Sequence, residues 1–241
     1  DEVLLAIDPY RGSYLREYYR GGTLEEVVRI AKILVENRVI DRFFVYGEEA
    51  NREVNIRWFG IDCGYGHTFD NKPLCSQLAA FESAKNDYIL QADCDVMIGR
   101  QDRNHPYLNE MLEVLLGNDK VVSVGFNICN MEDKAFWGFE NGGFVPEVRL
   151  GLLDRRRLLK LCPLPNELHE NGRLRLSWYR SVEQKQKVVG MCSVRGGKTA
   201  TFYVHPQNYR KTQPYAWMMI LDRIEQNVIP AFQLGHFDCE G

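Results

Sequence analysis

Short apolar runs alternate with amphipathic helical segments through the first half of the chain, and no other sequence feature constrains the fold as strongly. The first run, VLLAI at 3–7, is short and continuous, which is typical of a strand buried on both faces. Residues 23–37 follow with apolar side chains at helical spacing, and Thr23 with Glu26 three residues later forms a capping-box pattern. The chain is therefore predicted to begin with a strand and a helix.

The same alternation continues to residue 126. It predicts, in order, strands at 43–47 and 54–59, a helix opened by Pro73, a strand from Tyr88, a helix opened by Pro106 and a strand at 121–126. Parallel neighbours in a sheet need long crossover connections, which helices of this length supply. We therefore predict an α/β fold with a mostly parallel sheet, helices on both faces and ligands at the carboxyl ends of the strands.

The second half of the chain is less regular. It predicts a strand within 144–153, a short helix from Asp154 to Leu161, a helix from Ser177 to about Lys187, a strand at 201–205 and a helix opened by Pro214. A chain of 241 residues with 45% hydrophobic content can bury one sizeable core. We therefore predict a single domain over residues 1–241.

Composition and charge exclude several function classes. The net charge is only −3 and the basic residues are spread along the chain, so nucleic acid is not expected as a partner. The apolar runs are far shorter than a membrane span, which predicts no transmembrane segment. The seven cysteines are odd in number and contain no C-x-x-C pair, which favours free thiols in a reducing, cytoplasmic compartment.

Two glycine patterns fail on spacing. The stretch from Gly196 to Thr199 resembles the end of a phosphate loop, but Cys192 stands where that loop needs its first glycine. Gly64 and Gly66 lack the third glycine of a dinucleotide-binding turn, because Phe69 occupies its place. Neither a P-loop nucleotidase nor a dinucleotide-binding enzyme is supported.

The pair Asp93 and Asp95 directly follows the apolar run YILQA. In an extended segment the two carboxylates point the same way while Cys94 points into the sheet. Two neighbouring carboxylates favour Mg²⁺ or Mn²⁺, which in turn binds substrate phosphates. The alternative is that Asp93 caps a turn and Asp95 is merely solvated.

The segments DYILQADCDVMIG at 87–99 and FYVHPQNYRK at 202–211, in this order of strands and helices, resemble the GT-A fold of glycosyltransferases that use nucleotide sugars. The resemblance is to the large inverting group of these enzymes and covers nearly the whole chain. It implies a Rossmann-like sheet, a nucleotide-binding half at 1–126 and an acceptor-binding half at 127–241. It also implies transfer of a hexose-like sugar from a nucleoside-diphosphate donor to a hydroxyl of a carbohydrate or other acceptor.

The resemblance assigns roles to particular residues. It implies that Asp93, Asp95 and His205 hold Mn²⁺ or Mg²⁺, and imidazole at a strand end suits Mn²⁺. The alternative for His205 is a hydrogen-bonded histidine before Pro206. The residues implied to contact the donor are Asp8, Pro9, Tyr10, Arg11, Glu48, Lys72, Gln91, Asp93, Cys94 and Lys211.

The resemblance leaves the catalytic base open. Where the family usually carries Glu-Asp to deprotonate the acceptor, this chain has the run from Ser177 to Tyr179. The replacement candidates are Glu140, Glu147, Asp154 and Glu183. Arg180 either contacts phosphate or pairs with Glu183 three residues later. At least one of the aromatic residues Trp137, Phe139, Phe144, Trp178 and Tyr179 is expected to stack on the acceptor.

Two other functions fit parts of the pattern. A sugar-phosphate nucleotidyltransferase also uses an α/β sheet and a carboxylate-bound metal, but only Gly12 stands near the turn where that class needs several glycines. A non-catalytic nucleotide-sugar-binding protein with the same fold would explain the missing Glu-Asp pair. The nucleotide, the sugar, the acceptor and the oligomeric state are not encoded in any motif.

Overall fold

The computed structural model describes residues 2–11, 22–100, 102–125, 127–128, 145–195, 201–205 and 213–226. The chain forms two compact units, each built from two stretches of sequence. Unit 1 contains residues 1–89 and 155–185, and unit 2 contains residues 90–154 and 186–241. The predicted halves divide the chain at residue 126, whereas each of these units takes residues from both sides of that point.

The described residues form an α/β structure. Its strands are β1 (Leu4–Ile7), β2 (Arg42–Val45), β3 (Tyr88–Ala92), β4 (Met97–Arg100), β5 (Val121–Gly125), β6 (Asn127–Ile128), β7 (Leu150–Asp154), β8 (Cys192–Arg195) and β9 (Thr201–Val204). Its helices are α1 (Leu24–Glu36), α2 (Asn51–Phe59), α3 (Cys75–Ser83), α4 (Tyr107–Gly117), α5 (Arg155–Lys160), α6 (Trp178–Val189) and α7 (Pro214–Glu225).

Unit 1 opens with the predicted strand, helix and strand. β1 and β2 are parallel, with Leu4 opposite Arg42 and Ile7 opposite Val45, and α1 forms the crossover between them. The capping box is confirmed, because the Thr23 side chain accepts from the Glu26 N–H and the Glu26 carboxylate accepts from the Thr23 N–H. Two of the four orphan donors at the start of α1 are thereby satisfied.

The strand predicted at 54–59 is wrong, since these residues form the end of α2. Val54, Trp58 and Phe59 are almost fully buried. Their spacing places them on one face of a helix. The apolar pattern of this short segment is therefore compatible with a helix as well as with a strand. Gly60 ends the helix in the left-handed conformation, with φ of 68°.

Unit 2 contains two sheets among its described strands. One has the order β3-β7-β5-β8 and the other the order β4-β9-β6. β5 is antiparallel to β7 but parallel to β8, and β9 is antiparallel to β4 but parallel to β6. These sheets are mixed, so the α/β class is confirmed while the mostly parallel arrangement is not.

The structure bears on two sequence expectations, one about membrane-spanning segments and one about the cysteines. No helix within the described ranges is long and apolar enough to cross a membrane. The five cysteines in those ranges are free thiols, and three of them, Cys63, Cys75 and Cys192, are buried like small apolar residues.

Candidate metal centre and nucleotide loop

The aspartate pair lies in a turn between two strands of unit 2. β3 ends at Ala92, and the Val96 N–H donates to the Asp93 carbonyl at 3.3 Å, which closes a turn over residues 93–96. We call these four residues the carboxylate turn. The prediction that Cys94 points into the sheet is wrong: its side chain is exposed, because a turn does not alternate as an extended strand does.

Pairing between β4 and β9 brings His205 to this turn. Met97 lies opposite Val204 in an antiparallel register, and continuing that register by one residue places His205 opposite Val96. The His205 Nε2 atom is accordingly 3.6 Å from Oδ1 of Asp95. His205 is buried and Asp95 is largely so, with 19% of its side chain exposed. The structure therefore brings together residues that are 110 positions apart in the chain.

The Asp93 carboxyl sits in an environment that disfavours its negative charge. Burial, and then the neighbouring Asp95 carboxylate, raise the pKa of Asp93 to about 6, against smaller opposing effects of His205 and Arg149. A bound cation relieves like-charge crowding of this kind and keeps both carboxylates ionised. The chemistry of this donor set fits Mn²⁺ or Mg²⁺.

The side chains at the carboxylate turn do not by themselves form a complete metal coordination site. Within the described part of the chain, no group of three or more His, Cys, Asp or Glu side chains is gathered in a way that could hold a metal ion. A separation of 3.6 Å between Asp95 and His205 is too long for a hydrogen bond. Mg²⁺ characteristically completes its shell with water and substrate phosphates, so a site with few protein ligands is usual for it.

Gln91 lies two residues before the carboxylate turn. Its side-chain N–H donates to the carbonyl of Val148. Its Oε1 atom is buried and accepts no hydrogen bond from any residue that the structure describes. A buried acceptor without a donor costs free energy, on the order of 1–3 kcal/mol, unless another molecule supplies the hydrogen bond. Gln91 therefore has an acceptor available for a hydroxyl donor.

In unit 1 the loop after β1 is tightly held. Asp8 accepts from the Tyr10 N–H at 3.0 Å, from the Ser76 hydroxyl at 2.8 Å and from His67 Nε2 at 3.1 Å. Burial alone raises the pKa of Asp8, but the hydrogen bond and charge of His67, together with Tyr10 and Ser76, bring the pKa below its usual value. The Asp8 carboxylate thus shapes its own loop.

The loop after β1 is also held by His67, Asn71 and Arg173, which no sequence motif indicated. The Tyr10 ring stacks on His67 with 3.8 Å between centroids, and its hydroxyl donates to Asn71 Oδ1 at 2.8 Å. Arg173 Nη1 donates to the same Asn71 oxygen at 2.6 Å. Asn71 itself has a φ of 63°, a conformation that asparagine tolerates better than most residues. The residue type is the only sequence signal for this position, because asparagine tolerates a positive φ. The contacts themselves are not visible in the sequence, since they span up to 102 positions.

The other predicted donor contacts in unit 1 are exposed or half-buried. Arg11 is exposed and its Nη2 atom donates to the Gly22 carbonyl at 2.7 Å, while Pro9 is half-buried. Glu48 is exposed in a short helical turn after β2. Lys72 pairs with Asp70 at 2.7 Å. Lys211 lies outside the described residues.

Asp8→Asn is expected to destabilise the protein at pH 7 but not at acidic pH. Because the folded-state pKa of Asp8 is lowered, its contribution to stability is complete above its unfolded value near 4 and is lost as the pH falls through the folded value. Urea unfolding of both proteins between pH 7 and pH 3 measures this. A difference in the free energy of unfolding between the two proteins that stays constant down to pH 3 would contradict a lowered pKa of Asp8 in the folded state.

The three base candidates within the described ranges differ in accessibility. Asp154 is buried at the end of β7, and Glu147 is buried before that strand. Glu183 is partly exposed on α6 and accepts from Arg180 at 2.8 Å, so the predicted pairing three residues apart is confirmed. The fourth candidate, Glu140, lies outside the described residues.

The aromatic cluster predicted to bind the acceptor is only partly described. Trp178 is fully buried, its ring lies edge-on to Phe81 at 5.1 Å, and its Nε1 donates to Gln77 at 2.8 Å. Trp178 therefore belongs to the core of unit 1, and Tyr179 beside it is half-buried. Trp137, Phe139 and Phe144 lie outside the described residues.

No protein-family model, no curated protein and no solved structure matches this chain significantly. The geometry of the residues is therefore the basis for any functional proposal.

Proposed function

We propose that this chain is a metal-dependent glycosyltransferase with a GT-A-like fold, moving a sugar from a nucleoside-diphosphate donor to an acceptor hydroxyl. The observation that carries the proposal is the approach of His205, which directly follows β9, to Asp95 in the carboxylate turn, where Asp95 also crowds the carboxyl of Asp93. Such a set of oxygen and imidazole ligands is what Mn²⁺ uses, and a pair of crowded carboxylates is stabilised by a cation.

Asp93, Asp95 and His205 are the residues that would hold the ion. When bound, the ion supplies positive charge against the negative charge that develops on the departing diphosphate. The chain's own contribution would be positioning: the turn carries Asp93 and Asp95, and the β4–β9 pairing places His205 beside Asp95. Ligands that the fold already holds near one another lose less conformational freedom on binding, which favours affinity.

Gln91 supports a hydroxyl-bearing ligand next to the carboxylate turn. Its Oε1 atom is buried and accepts no bond from the described residues, and a sugar or ribose hydroxyl is a donor of suitable chemistry. The nucleotide contacts that the resemblance assigns to Asp8, Pro9, Tyr10, Arg11, Glu48, Lys72, Cys94 and Lys211 remain part of the proposal. Among them Asp8 orders its loop through three hydrogen bonds, so its effect on a ligand is through the loop's shape.

Glu183 is the base candidate that best suits proton transfer. It is the only one of Glu147, Asp154 and Glu183 that is not buried. A base needs access to the acceptor hydroxyl. Of the three base candidates that the structure describes, Glu183 is therefore the one whose exposure suits this role.

A thermal-shift screen of nucleoside diphosphates, with and without Mn²⁺, tests the proposal. A ligand that binds the folded state stabilises it by about 2.7 kcal/mol at a concentration of 100 times its Kd. We expect one nucleoside diphosphate to raise the melting temperature by several degrees with Mn²⁺ and far less without it. No shift with any diphosphate and Mn²⁺ contradicts the proposal.

A second assay separates the proposed transfer from the two alternatives. A transferase releases nucleoside diphosphate slowly from its nucleotide sugar even without acceptor. A nucleotidyltransferase instead produces pyrophosphate from a nucleoside triphosphate and a sugar 1-phosphate, and a non-catalytic binding protein gives neither product. We expect diphosphate release that depends on Mn²⁺.

A further inference from the structure

Glu147 is a buried carboxylate whose oxygens are all engaged within unit 2. Its Oε1 atom accepts from the backbone N–H groups of Val148 and Arg149, both at 3.0 Å. Its Oε2 atom accepts from Arg195 Nη2 and lies 3.5 Å from the Tyr203 hydroxyl. Only 5% of the Glu147 side chain and 11% of the Arg195 side chain are exposed. A carboxylate held in this way is poorly placed to receive a proton from a substrate.

Two glycines make room for Glu147. Gly125 of β5 and Gly151 of β7 are cross-strand partners. A Cβ atom added to Gly125 would lie 2.9 Å from the Glu147 Cβ atom, and one added to Gly151 would lie 3.4 Å from it. The first of these distances is shorter than two carbon atoms tolerate, so any other residue at 125 would displace Glu147.

The backbone that Glu147 orders is the backbone that holds the carboxylate turn. The Arg149 carbonyl accepts from the Asp93 N–H at 2.8 Å, and the Val148 carbonyl accepts from the Gln91 side chain. The N–H groups of these same two residues, 148 and 149, are the ones bound by Glu147. A continuous chain of hydrogen bonds therefore runs from Arg195 through Glu147 to the first residue of the turn.

Burying an ion pair is rarely favourable for stability alone, because both charges lose their hydration. We propose that Glu147, with Arg195, is the positioning group of the carboxylate turn and not the catalytic base. It fixes residues 148 and 149, which in turn fix the backbone of Asp93 and so the direction of its carboxylate. The consequence for metal affinity rests on the proposed function, whereas the consequence for the Asp93 backbone does not.

Three variants test this positioning. Gly125→Ala removes no charged group but displaces Glu147. Glu147→Gln keeps an acceptor for the two N–H groups but removes the charge that faces Arg195. Ser193→Ala is the matched control, since it breaks buried hydrogen bonds to Ser123 in the same sheet and to Gln186 of α6, at 2.7 and 2.9 Å, without touching this chain of bonds.

The first readout is hydrogen exchange of the Asp93 amide by NMR, referenced to the amides of β9. We expect exchange at least about tenfold faster in Gly125→Ala and Glu147→Gln and unchanged in Ser193→Ala, because the bond to the Arg149 carbonyl is weakened only in the first two. Unchanged Asp93 exchange in both variants overturns the proposal. This readout needs no ligand, so Gly125→Ala decides the matter even if Glu147→Gln does not fold.

The second readout is the affinity for Mn²⁺. We expect it to fall about tenfold in the same two variants and to be unchanged in Ser193→Ala, as is usual when the groups that orient metal ligands are altered. Failure of the unaltered protein to bind Mn²⁺ overturns the proposed function and leaves the exchange result to decide on Glu147. Normal affinity in both variants of a metal-binding protein overturns the link between Glu147 and the metal.

Discussion

Asp95→Asn is expected to weaken Mn²⁺ binding by about a hundredfold, which corresponds to about 2.8 kcal/mol. Asparagine keeps the size of the side chain and one oxygen but removes the negative charge, and charge is what a divalent ion gains most from in such a site. The same change removes the like charge that helps raise the pKa of Asp93. Titration calorimetry with Mn²⁺, in the presence of the diphosphate that the screen identifies, measures the loss.

Asp119→Asn is the matched control, because Asp119 also belongs to unit 2 but is exposed between α4 and β5. It removes the same charge from the protein without touching the carboxylate turn. We expect its Mn²⁺ affinity to match that of the unaltered chain. Equal affinity in Asp95→Asn and Asp119→Asn would mean that Asp95 holds no metal.

Trp178→Ala is expected to lower the free energy of unfolding by about 3–5 kcal/mol. The side chain is fully buried, packs edge-on against Phe81 and donates to Gln77, so truncation leaves both a cavity and an unpaired amide oxygen. Urea unfolding followed by circular dichroism measures the change.

Two further substitutions separate the packing of Trp178 from its hydrogen bond. Trp178→Phe keeps most of the ring and loses only the donor, which predicts a smaller loss of about 1–2 kcal/mol. Val188→Ala changes a side chain on the same helix that is 83% exposed, and we expect a change within about 0.5 kcal/mol. A loss in Trp178→Ala no larger than in Val188→Ala contradicts the assignment of this tryptophan to the core.

The local elements were largely predictable because their signals are local. The capping box of Thr23 and Glu26, the prolines that open α4 and α7 and the apolar runs of β1 and β5 each lie within a few residues of the element that they define. Residues 54–59 were mispredicted as a strand because a run of six residues is too short to distinguish the helical period from the alternation of a strand. Burial of Val54, Trp58 and Phe59 on one helical face identifies the segment as a helix.

The sequence of β4 did not predict a strand, although the pairing of β4 with β9 determines the position of His205. Glycine weakens a strand pattern, and Gly99 lies in the middle of this strand. The structure gives the reason for that glycine: it pairs with Phe202, and a Cβ atom there would lie 2.5 Å from the phenyl ring. The partner is about a hundred residues away in the chain, which no local pattern reveals.

Part of the geometry at the candidate site was predictable. Asp95 and His205 lie 3.6 Å apart, but they do so because of a turn and a β4–β9 register, not because of alternation along an extended strand. The engagement of Glu147 by Arg195 and the ordering of the β1 loop by His67, Asn71 and Arg173 were not predictable. Each depends on contacts between residues that are 48 to 102 positions apart.

A crystal of the protein grown with Mn²⁺ and the identified diphosphate, measured near the manganese absorption edge, tests the central claim most directly. We expect one anomalous peak about 2 Å from a carboxylate oxygen of Asp95 and from Nε2 of His205, with the diphosphate on its far side. A map in which His205 and Asp95 keep their separation of 3.6 Å, with no manganese between them, would contradict it.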